Sequence, residues 1–220
     1  PSADVAVAMS PVGGSTRPQV VGEETGLVAW STIKVPLSLA VIDSGESHPD
    51  DITAALTISD NAAADRLWTS LGTGSEASSA VEEVLRSGGD RRTRVPSEVT
   101  SPGHSAFGQA VWRLSDQTAF TARLPCLAGS SDVTTAMGQV SADQSWGFGQ
   151  IEEARFKGGW GDTPGGYVVR QLGLLPGAKG ETAATLQVRA GSHAEGTAIA
   201  DELAGVLDEH GSDLPTGSCD

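Results

Sequence analysis

Strand-like segments occur only near the two ends of this 220-residue chain, and the long region between them has helical periodicity. Five segments alternate or cluster apolar residues between turn residues, at 4–9, 18–22, 151–156, 167–172 and 185–189. A last helix is predicted over Ala194–Glu209. Strands from both ends of a chain can join one sheet if the block between them folds as an insertion. We therefore predict a mixed α+β protein with an antiparallel five-stranded sheet flanked by helices.

The inserted block is predicted to be a reduced, all-helical lobe within a single domain, 1–220. The sheet lobe would comprise 1–30 and 146–220, and the helical lobe about 31–145. Caps and apolar periodicity predict helices over 31–44, 52–58, 62–68, 76–87, 116–124 and 132–140. A further amphipathic helix is predicted to begin at Ser101-Pro102 and to carry Phe107, Val111 and Leu114.

Charge and hydropathy argue against several kinds of partner. The formal net charge is −14, from 14 basic and 28 acidic residues, so binding to nucleic acid or to an anionic membrane surface is not expected. The only basic cluster, 91–94, has two interpretations. It is either a solvated loop whose arginines pair with nearby acidic residues, or a phosphate-binding site. The longest apolar-rich run, Val35–Ile42, is too short to cross a membrane.

The cysteines and histidines predict no metal site and no cofactor. Cys126 and Cys219 lie far apart without a Cys-x-x-Cys pattern, and the four histidines are scattered. The cysteines could form a disulfide or remain two thiols. A disulfide would indicate a secreted or extracytoplasmic protein, because such bonds persist in oxidising compartments.

Ser31 and Lys34 form the only Ser-x-x-Lys pattern in a chain with three lysines. Residues three apart on a helix share a face, so the lysine could take the proton of the serine hydroxyl and activate it as a nucleophile. Pro36 requires the helix to begin close by, which places Ser31 near its N-terminus. The alternative is an ordinary lysine on a helix surface.

Two later motifs have both a structural and a chemical interpretation. Ser59-Asp60-Asn61 is either a turn between helices or a polar hinge that presents a hydroxyl and an amide to a substrate. Lys157-Gly158-Gly159-Trp160 is either the end of a strand before a flexible turn or a cation beside free backbone N–H groups. A serine-lysine acyl transferase needs an activated hydroxyl at a helix start, a polar hinge that contacts the substrate, and a strand with a cation and free backbone N–H groups. Together with Ser31 and Lys34, the two motifs supply these groups.

These motifs and their order resemble the penicillin-recognising serine enzymes, the class A β-lactamases and penicillin-binding proteins, with their Ser-x-x-Lys, Ser-Asp-Asn and Lys-Thr-Gly signature. The resemblance extends over most of the chain, including 31–37, 56–64 and 185–209. It implies that the catalytic residues are Ser31 as nucleophile, Lys34 as base or proton shuttle, Ser59 as proton relay, Asn61 as a ligand of the substrate amide, and Lys157 as the cation for a substrate carboxylate. It also implies substrate binding by Gly158, Gly159 and Trp160, with backbone N–H groups of Ser31 and Trp160 forming the oxyanion hole.

Three departures from the signature affect the expected activity. Gly158 replaces the usual Thr or Ser, so a hydroxyl that holds the substrate carboxylate is missing. Gly166 occupies the position of a carboxylate-binding arginine, and Arg170 is expected on the surface. No Glu-x-x-x-Asn segment lies between Ser59 and Lys157, and Glu98 is a weak candidate for the deacylating base. Deacylation is therefore expected to be slow.

The leading hypothesis is a monomeric serine hydrolase that forms a Ser31 acyl-enzyme on amide or ester bonds. Its substrate would be a small molecule or peptide, such as a cell-wall peptide or a β-lactam-like compound. Slow deacylation favours a peptidase, an esterase or a slow penicillin-binding protein over an efficient β-lactamase. The alternatives are a binding or regulatory module with weak or no turnover, and a glutaminase-type serine-lysine amidase.

Overall fold

The computed structural model describes residues 4–15 and 17–219. Residues 1–3, at the start of the predicted sheet lobe, lie outside this range, as do residues 16 and 220. Seven strands are described: β1 (Asp4–Pro11), β2 (Gln19–Gly22), β3 (Gly26–Val28), β4 (Val111–Arg113), β5 (Arg155–Thr163), β6 (Gly166–Gly177) and β7 (Gly180–Ala190). Five of them form one antiparallel sheet in the order β2-β1-β7-β6-β5, and β3 pairs with β4 separately. The predicted five-stranded sheet and mixed α+β class are confirmed.

The helices are α1 (Lys34–Asp43), α2 (Pro49–Thr57), α3 (Asn61–Ser70), α4 (Gly74–Ser87), α5 (Leu114–Arg123), α6 (Ser130–Met137) and α7 (His193–Glu209). A 3₁₀ turn, Trp30–Ile33, leads directly into α1. The sequence explains the clearest boundaries, because helix N-termini need side-chain acceptors. Thr73 and Glu76 form a capping box before α4, and Ser192 caps α7.

Helix α1 lies at the centre of the helical region, and this position fixes the residues at its start. Residues 34–41 are all buried. The helix packs against α2, α3, α4 and α6. Apolar contacts on every side leave the helix little freedom to shift. Any side chain in its first turn therefore has a well-defined position.

The sheet is covered by helices on both faces. α7 packs against β6 and β7 through a cluster that includes Val169, Val188 and Ala200. α5 packs against β1 and β7, where Thr118 and Thr185 share a hydrogen bond of 2.6 Å. β5 pairs only with β6 among the described strands, so its other edge is free of strand pairing. That edge meets the 3₁₀ turn 30–33.

The segment around Phe107 to Leu114 differs from the prediction. Instead of one amphipathic helix, a short 3₁₀ turn is followed by β4, and α5 begins only at Leu114. Trp112 is fully buried whereas its neighbours Val111 and Arg113 are exposed, which is the alternation of a strand. Strand pairing with β3 therefore overrode the helical spacing of the apolar residues.

Cys126 and Cys219 form a disulfide with a Cα–Cα distance of 5.4 Å, which settles the choice left open by the sequence. The bridge joins the C-terminal tail to the segment after α5. Gly217 also pairs with Glu181, at the start of β7. Within residues 4–15 and 17–219, no helix is long and apolar enough to cross a membrane.

Candidate active site

The 3₁₀ turn 30–33 places Ser31 at the edge of a cleft and Lys34 at the first residue of α1. Trp30, just before the serine, has a left-handed backbone with φ of 49°. Ser31 is half-buried, and Lys34 is almost fully buried. Both side chains line the cleft, although among the described residues the Ser31 hydroxyl has no hydrogen-bond partner.

The Lys34 ammonium is held by the Ser59-Asp60-Asn61 segment. Its Nζ donates to the Ser59 carbonyl oxygen at 2.6 Å and to Asn61 Oδ1 at 2.7 Å. It lies 3.3 Å from Ser59 Oγ. Burial lowers the pKa of Lys34 from 10.5 to about 8, although the carboxylates of Asp60 and Asp65 act in the opposite direction. A substantial neutral fraction is therefore available near physiological pH.

Ser59 adopts a left-handed backbone with φ of 56°, an uncommon conformation for serine. Asp60 follows as the N-cap of α3 and accepts a hydrogen bond from the Ala63 N–H at 2.8 Å. The segment is thus a turn and cap between helices, as the structural interpretation proposed, and it also contacts both lysines of the cluster. Strained backbone of this kind is common at functional sites.

Lys157 completes the cluster from the sheet. Its side chain is buried, and Nζ donates to Ser59 Oγ at 2.9 Å and to the Gly158 carbonyl oxygen at 2.8 Å. Burial lowers the pKa of Lys157 well below its usual value, and the charge of Lys34 adds to this effect. The residue is the third of the nine residues of β5, near the start of the strand and not at its end as the sequence predicted. The Ser59 hydroxyl therefore bridges the two lysines.

Gly159 permits the closest contact between the sheet and the 3₁₀ turn. A Cβ atom at this position would lie 2.9 Å from the Ser31 backbone nitrogen and 3.0 Å from both the Ala29 oxygen and the Thr32 nitrogen. At Gly158, by contrast, a Cβ atom would meet the side chain of Trp146 at 3.0 Å. The absence of a side chain at Gly159 thus lets β5 approach the serine backbone.

Trp160 packs against aromatic rings and also lines the cleft. Its ring lies 6.1 Å from that of Trp146 and 5.6 Å from that of His193, measured between centroids. Trp30, which also lines the cleft, packs edge-on against His104 with a centroid distance of 5.0 Å. The cleft therefore has aromatic walls close to Ser31.

The cleft has a volume of about 820 Å³. The titratable side chains in its lining are Lys34, Asp65, Glu98 and His104. The sequence singled out Lys34 and Glu98 but not Asp65 or His104. Asp65 was detectable, because it lies four residues after Asn61 on a predicted helix and therefore shares its face.

Arg170 is fully buried, so its expected surface position is wrong. Its guanidinium donates to the carbonyl oxygens of Leu27 at 2.9 Å and Trp112 at 3.1 Å, and to Gln117 Oε1 at 2.7 Å. Gln117 in turn donates to Thr32 Oγ1 at 2.9 Å. Within the described part of the chain, the Arg170 guanidinium pairs with no carboxylate. Arg170 is thus connected to the 3₁₀ turn that carries Ser31.

No family model matches the sequence, and no curated protein is significantly similar to it. Solved structures do match the fold. The TLA-3 extended-spectrum β-lactamase is 15% identical with a TM-score of 0.77, and the match covers 94% of this chain and 93% of that one. A β-lactamase from Burkholderia vietnamiensis is 18% identical with a TM-score of 0.72, covering 95% and 91%. An ancestral class A β-lactamase is 17% identical with a TM-score of 0.68, covering 93% of each chain. The predicted resemblance is confirmed for the fold, and this chain has the fold of the class A β-lactamases.

Proposed function

We propose that this protein is a serine hydrolase that forms an acyl-enzyme at Ser31 from activated amides or esters. The observation that carries the proposal is the Ser59 hydroxyl, which lies 2.9 Å from the Lys157 Nζ and 3.3 Å from the Lys34 Nζ. One hydroxyl between two buried amines is a route for a proton from the nucleophile to a leaving group.

The acylation step follows from the properties of Lys34. The pKa of about 8 leaves part of the lysine neutral at pH 7 to 8, and a neutral amine can accept the Ser31 proton as Oγ attacks the substrate carbonyl carbon. Collapse of the tetrahedral intermediate breaks the amide or ester bond. The proton then passes through Ser59 to the departing nitrogen or oxygen.

Backbone N–H groups of Ser31 and Trp160 are the proposed donors to the developing oxyanion. Support comes from the close approach of β5 to the 3₁₀ turn, where even a Cβ atom on Gly159 would be crowded. Fixed backbone donors of this kind contribute strongly to catalysis because they need no reorganisation during the reaction. Lys157, when protonated, would add positive charge near the substrate, and Asn61 would hold the substrate amide.

The substrate is proposed to be a peptide or β-lactam-like small molecule, and turnover is proposed to be slow. Gly158 brings no hydroxyl to a substrate carboxylate, and buried Arg170 is committed to carbonyl oxygens of its own chain. Both features weaken recognition of an anionic substrate. The disulfide between Cys126 and Cys219 supports an extracytoplasmic site of action.

The test is intact-mass spectrometry after incubation with a fluorescent penicillin, an activated ester and an activated serine phosphonate. We expect one adduct on the wild type and none on Ser31→Ala. Ser79→Ala, which removes an exposed hydroxyl on α4, is the matched control and should label normally. If the wild type forms no adduct under conditions that label an active relative, the hydrolase proposal fails.

A second function, a binding or regulatory module, is favoured by the missing hydroxyl at Gly158 and by the absence of a Glu-x-x-x-Asn segment between Ser59 and Lys157. This second function predicts reversible binding of a ligand without a covalent adduct. Melting curves recorded with the same compounds separate the two functions, since a module is stabilised by a ligand without any change in mass.

A further inference from the structure

Hydrolysis of an acyl-enzyme needs a base that activates water, and the proposed function leaves this base unassigned. Two carboxylates, Asp65 and Glu98, line the cleft beside Ser31. The other titratable groups of the lining are Lys34 and His104. Lys34 takes part in acylation, and His104 packs against the ring of Trp30.

Asp65 is placed close to the reacting groups by α3. It lies one helical turn after Asn61, so the two side chains share a face. Asn61 Oδ1 accepts from the Lys34 Nζ at 2.7 Å. The charge of Asp65 also acts on Lys34, whereas no such effect of Glu98 is resolved. Asp65 therefore lies within electrostatic reach of the amine.

The carboxylate of Asp65 is also free to act. Among the described residues it takes part in no hydrogen bond or ion pair, while the neighbouring Arg66 is bound to Asp51. Partial burial raises the pKa of Asp65, and the charge of Lys34 acts in the opposite direction. A carboxylate with a raised pKa is a better proton acceptor than an ordinary surface carboxylate.

We propose that Asp65 is the general base that activates water for deacylation of Ser31. This inference rests on the proposed acyl-enzyme. The Asp65 carboxylate takes a proton as the water oxygen bonds to the carbonyl carbon of the ester. The tetrahedral intermediate then breaks its bond to Ser31 Oγ, which regains a proton from Asp65, and the product leaves as a carboxylic acid.

Glu98 is the alternative base, and its position is less suited to the task. Both carboxylates are exposed, but Glu98 lies in the irregular segment between α4 and α5 and belongs to no helix or strand. Asp65, by contrast, is held by a helix whose inner face contributes Ala64 and Leu67 to the core. A fixed base is expected to act more effectively than one on an irregular segment.

The experiment follows the acyl adduct over time. Wild type, Asp65→Asn and Glu98→Gln are labelled with a fluorescent penicillin, excess reagent is removed, and the loss of adduct is measured by intact mass. Asp208→Asn, an exposed carboxylate on α7, is the matched control. We expect Asp65→Asn to label readily and to lose its adduct at least about tenfold more slowly than wild type, since general bases commonly contribute 10² or more.

The outcomes separate this inference from the proposed function. If the wild type is never labelled, the acyl-enzyme proposal itself fails. If the wild type and Asp65→Asn are both labelled and lose the adduct at the same rate, Asp65 is not the base. Slower loss in Glu98→Gln alone would also overturn the inference and assign the role to Glu98. Equally slow loss in Asp208→Asn and Asp65→Asn would overturn the inference as well, because the effect would then not be specific to the cleft.

Discussion

Replacing Gly159 by alanine tests whether the contact between β5 and the 3₁₀ turn supports the chemistry. The added Cβ atom would lie 2.9 Å from the Ser31 nitrogen, while ordinary van der Waals contacts begin at 3.4 Å. The nearest atoms all belong to backbone, so no side chain can move aside. The strand and the turn must therefore separate by about half an ångström, a distance taken directly from this shortfall.

Two consequences should follow from this separation. Overpacking of this kind costs about 1–3 kcal/mol of stability, which corresponds to a fall in Tm of roughly 2–10 °C for a chain of this size. The acylation rate should fall about 10–100-fold, because oxyanion donors displaced by a fraction of an ångström lose much of their effect. Differential scanning fluorimetry measures the first effect and the time course of labelling the second.

Gly158→Ala is the matched control for this prediction. Its Cβ atom would meet the Trp146 side chain at 3.0 Å, and the next nearest atoms lie at 3.5 Å and beyond. A ring edge can shift by a few tenths of an ångström, so we expect a smaller loss of stability and of acylation rate. The reasoning is refuted if Gly159→Ala acylates within about twofold of wild type, or if Gly158→Ala is impaired equally.

Three further predictions concern Lys34, the buried arginine and the disulfide. The acylation rate should rise through pH 8 as Lys34 loses its proton. The unfolded chain keeps that proton up to about pH 10.5, so Lys34 should raise the stability by about 3 kcal/mol between these pH values. Urea titrations should show a larger rise for wild type than for Lys34→Met, which keeps the contribution of buried Lys157; an equal rise in both would contradict the lowered pKa of Lys34. Arg170→Met removes four hydrogen bonds, to the carbonyl oxygens of Leu27, Val28 and Trp112 and to Gln117 Oε1, and should lose about 3 kcal/mol in urea unfolding. Equal stability would show that the guanidinium hydrogen bonds contribute nothing. Cys126 and Cys219 lie 93 residues apart, and reduction of their disulfide should lower Tm by roughly 10 °C. Labelling of Ser31 at 20 °C should be retained. An unchanged Tm would contradict a stabilising role of the disulfide.

The order of elements could be predicted from the sequence because their signals are local. The predicted helix starts at 76 and 62 lie within two residues of the observed starts of α4 at Gly74 and α3 at Asn61, although the observed cap of α4 is Thr73. Strands β3 and β4 could not be predicted, since each has only three residues and their pairing joins Leu27 with Trp112, far apart in sequence. Such a pair has no periodicity to detect, and only the burial of the tryptophan reveals it.

The positions of β5 and of Arg170 were mispredicted for different physical reasons. The apolar residues before Lys157 suggested an earlier strand, but glycines rarely favour strands, so the true centre of β5 at 157–161 was hidden. Arg170 lies on β6, which is buried on both faces, and a charged side chain there gives no local sign of burial. Its acceptors come from segments remote in the chain.

The candidate site was predictable as a set of motifs but not as an arrangement. Three motifs in order implied that Lys34, Ser59, Asn61 and Lys157 meet, and the structure brings these four together. The left-handed backbone of Ser59 was not predictable, because serine has no preference for that conformation. Asp65 was overlooked because a polar residue on an exposed helix face usually contacts only solvent and has no functional role.

The left-handed backbone at Ser59 bears on how this chain can change over evolutionary time. A φ of 56° is adopted by glycine without cost and by asparagine readily, whereas serine loses roughly 1 kcal/mol there. Ser59→Gly would therefore relieve this backbone cost, but it would also delete the hydroxyl that accepts hydrogen bonds from the two lysines. Serine at this position places the chain on the costlier side of a trade-off between stability and chemistry.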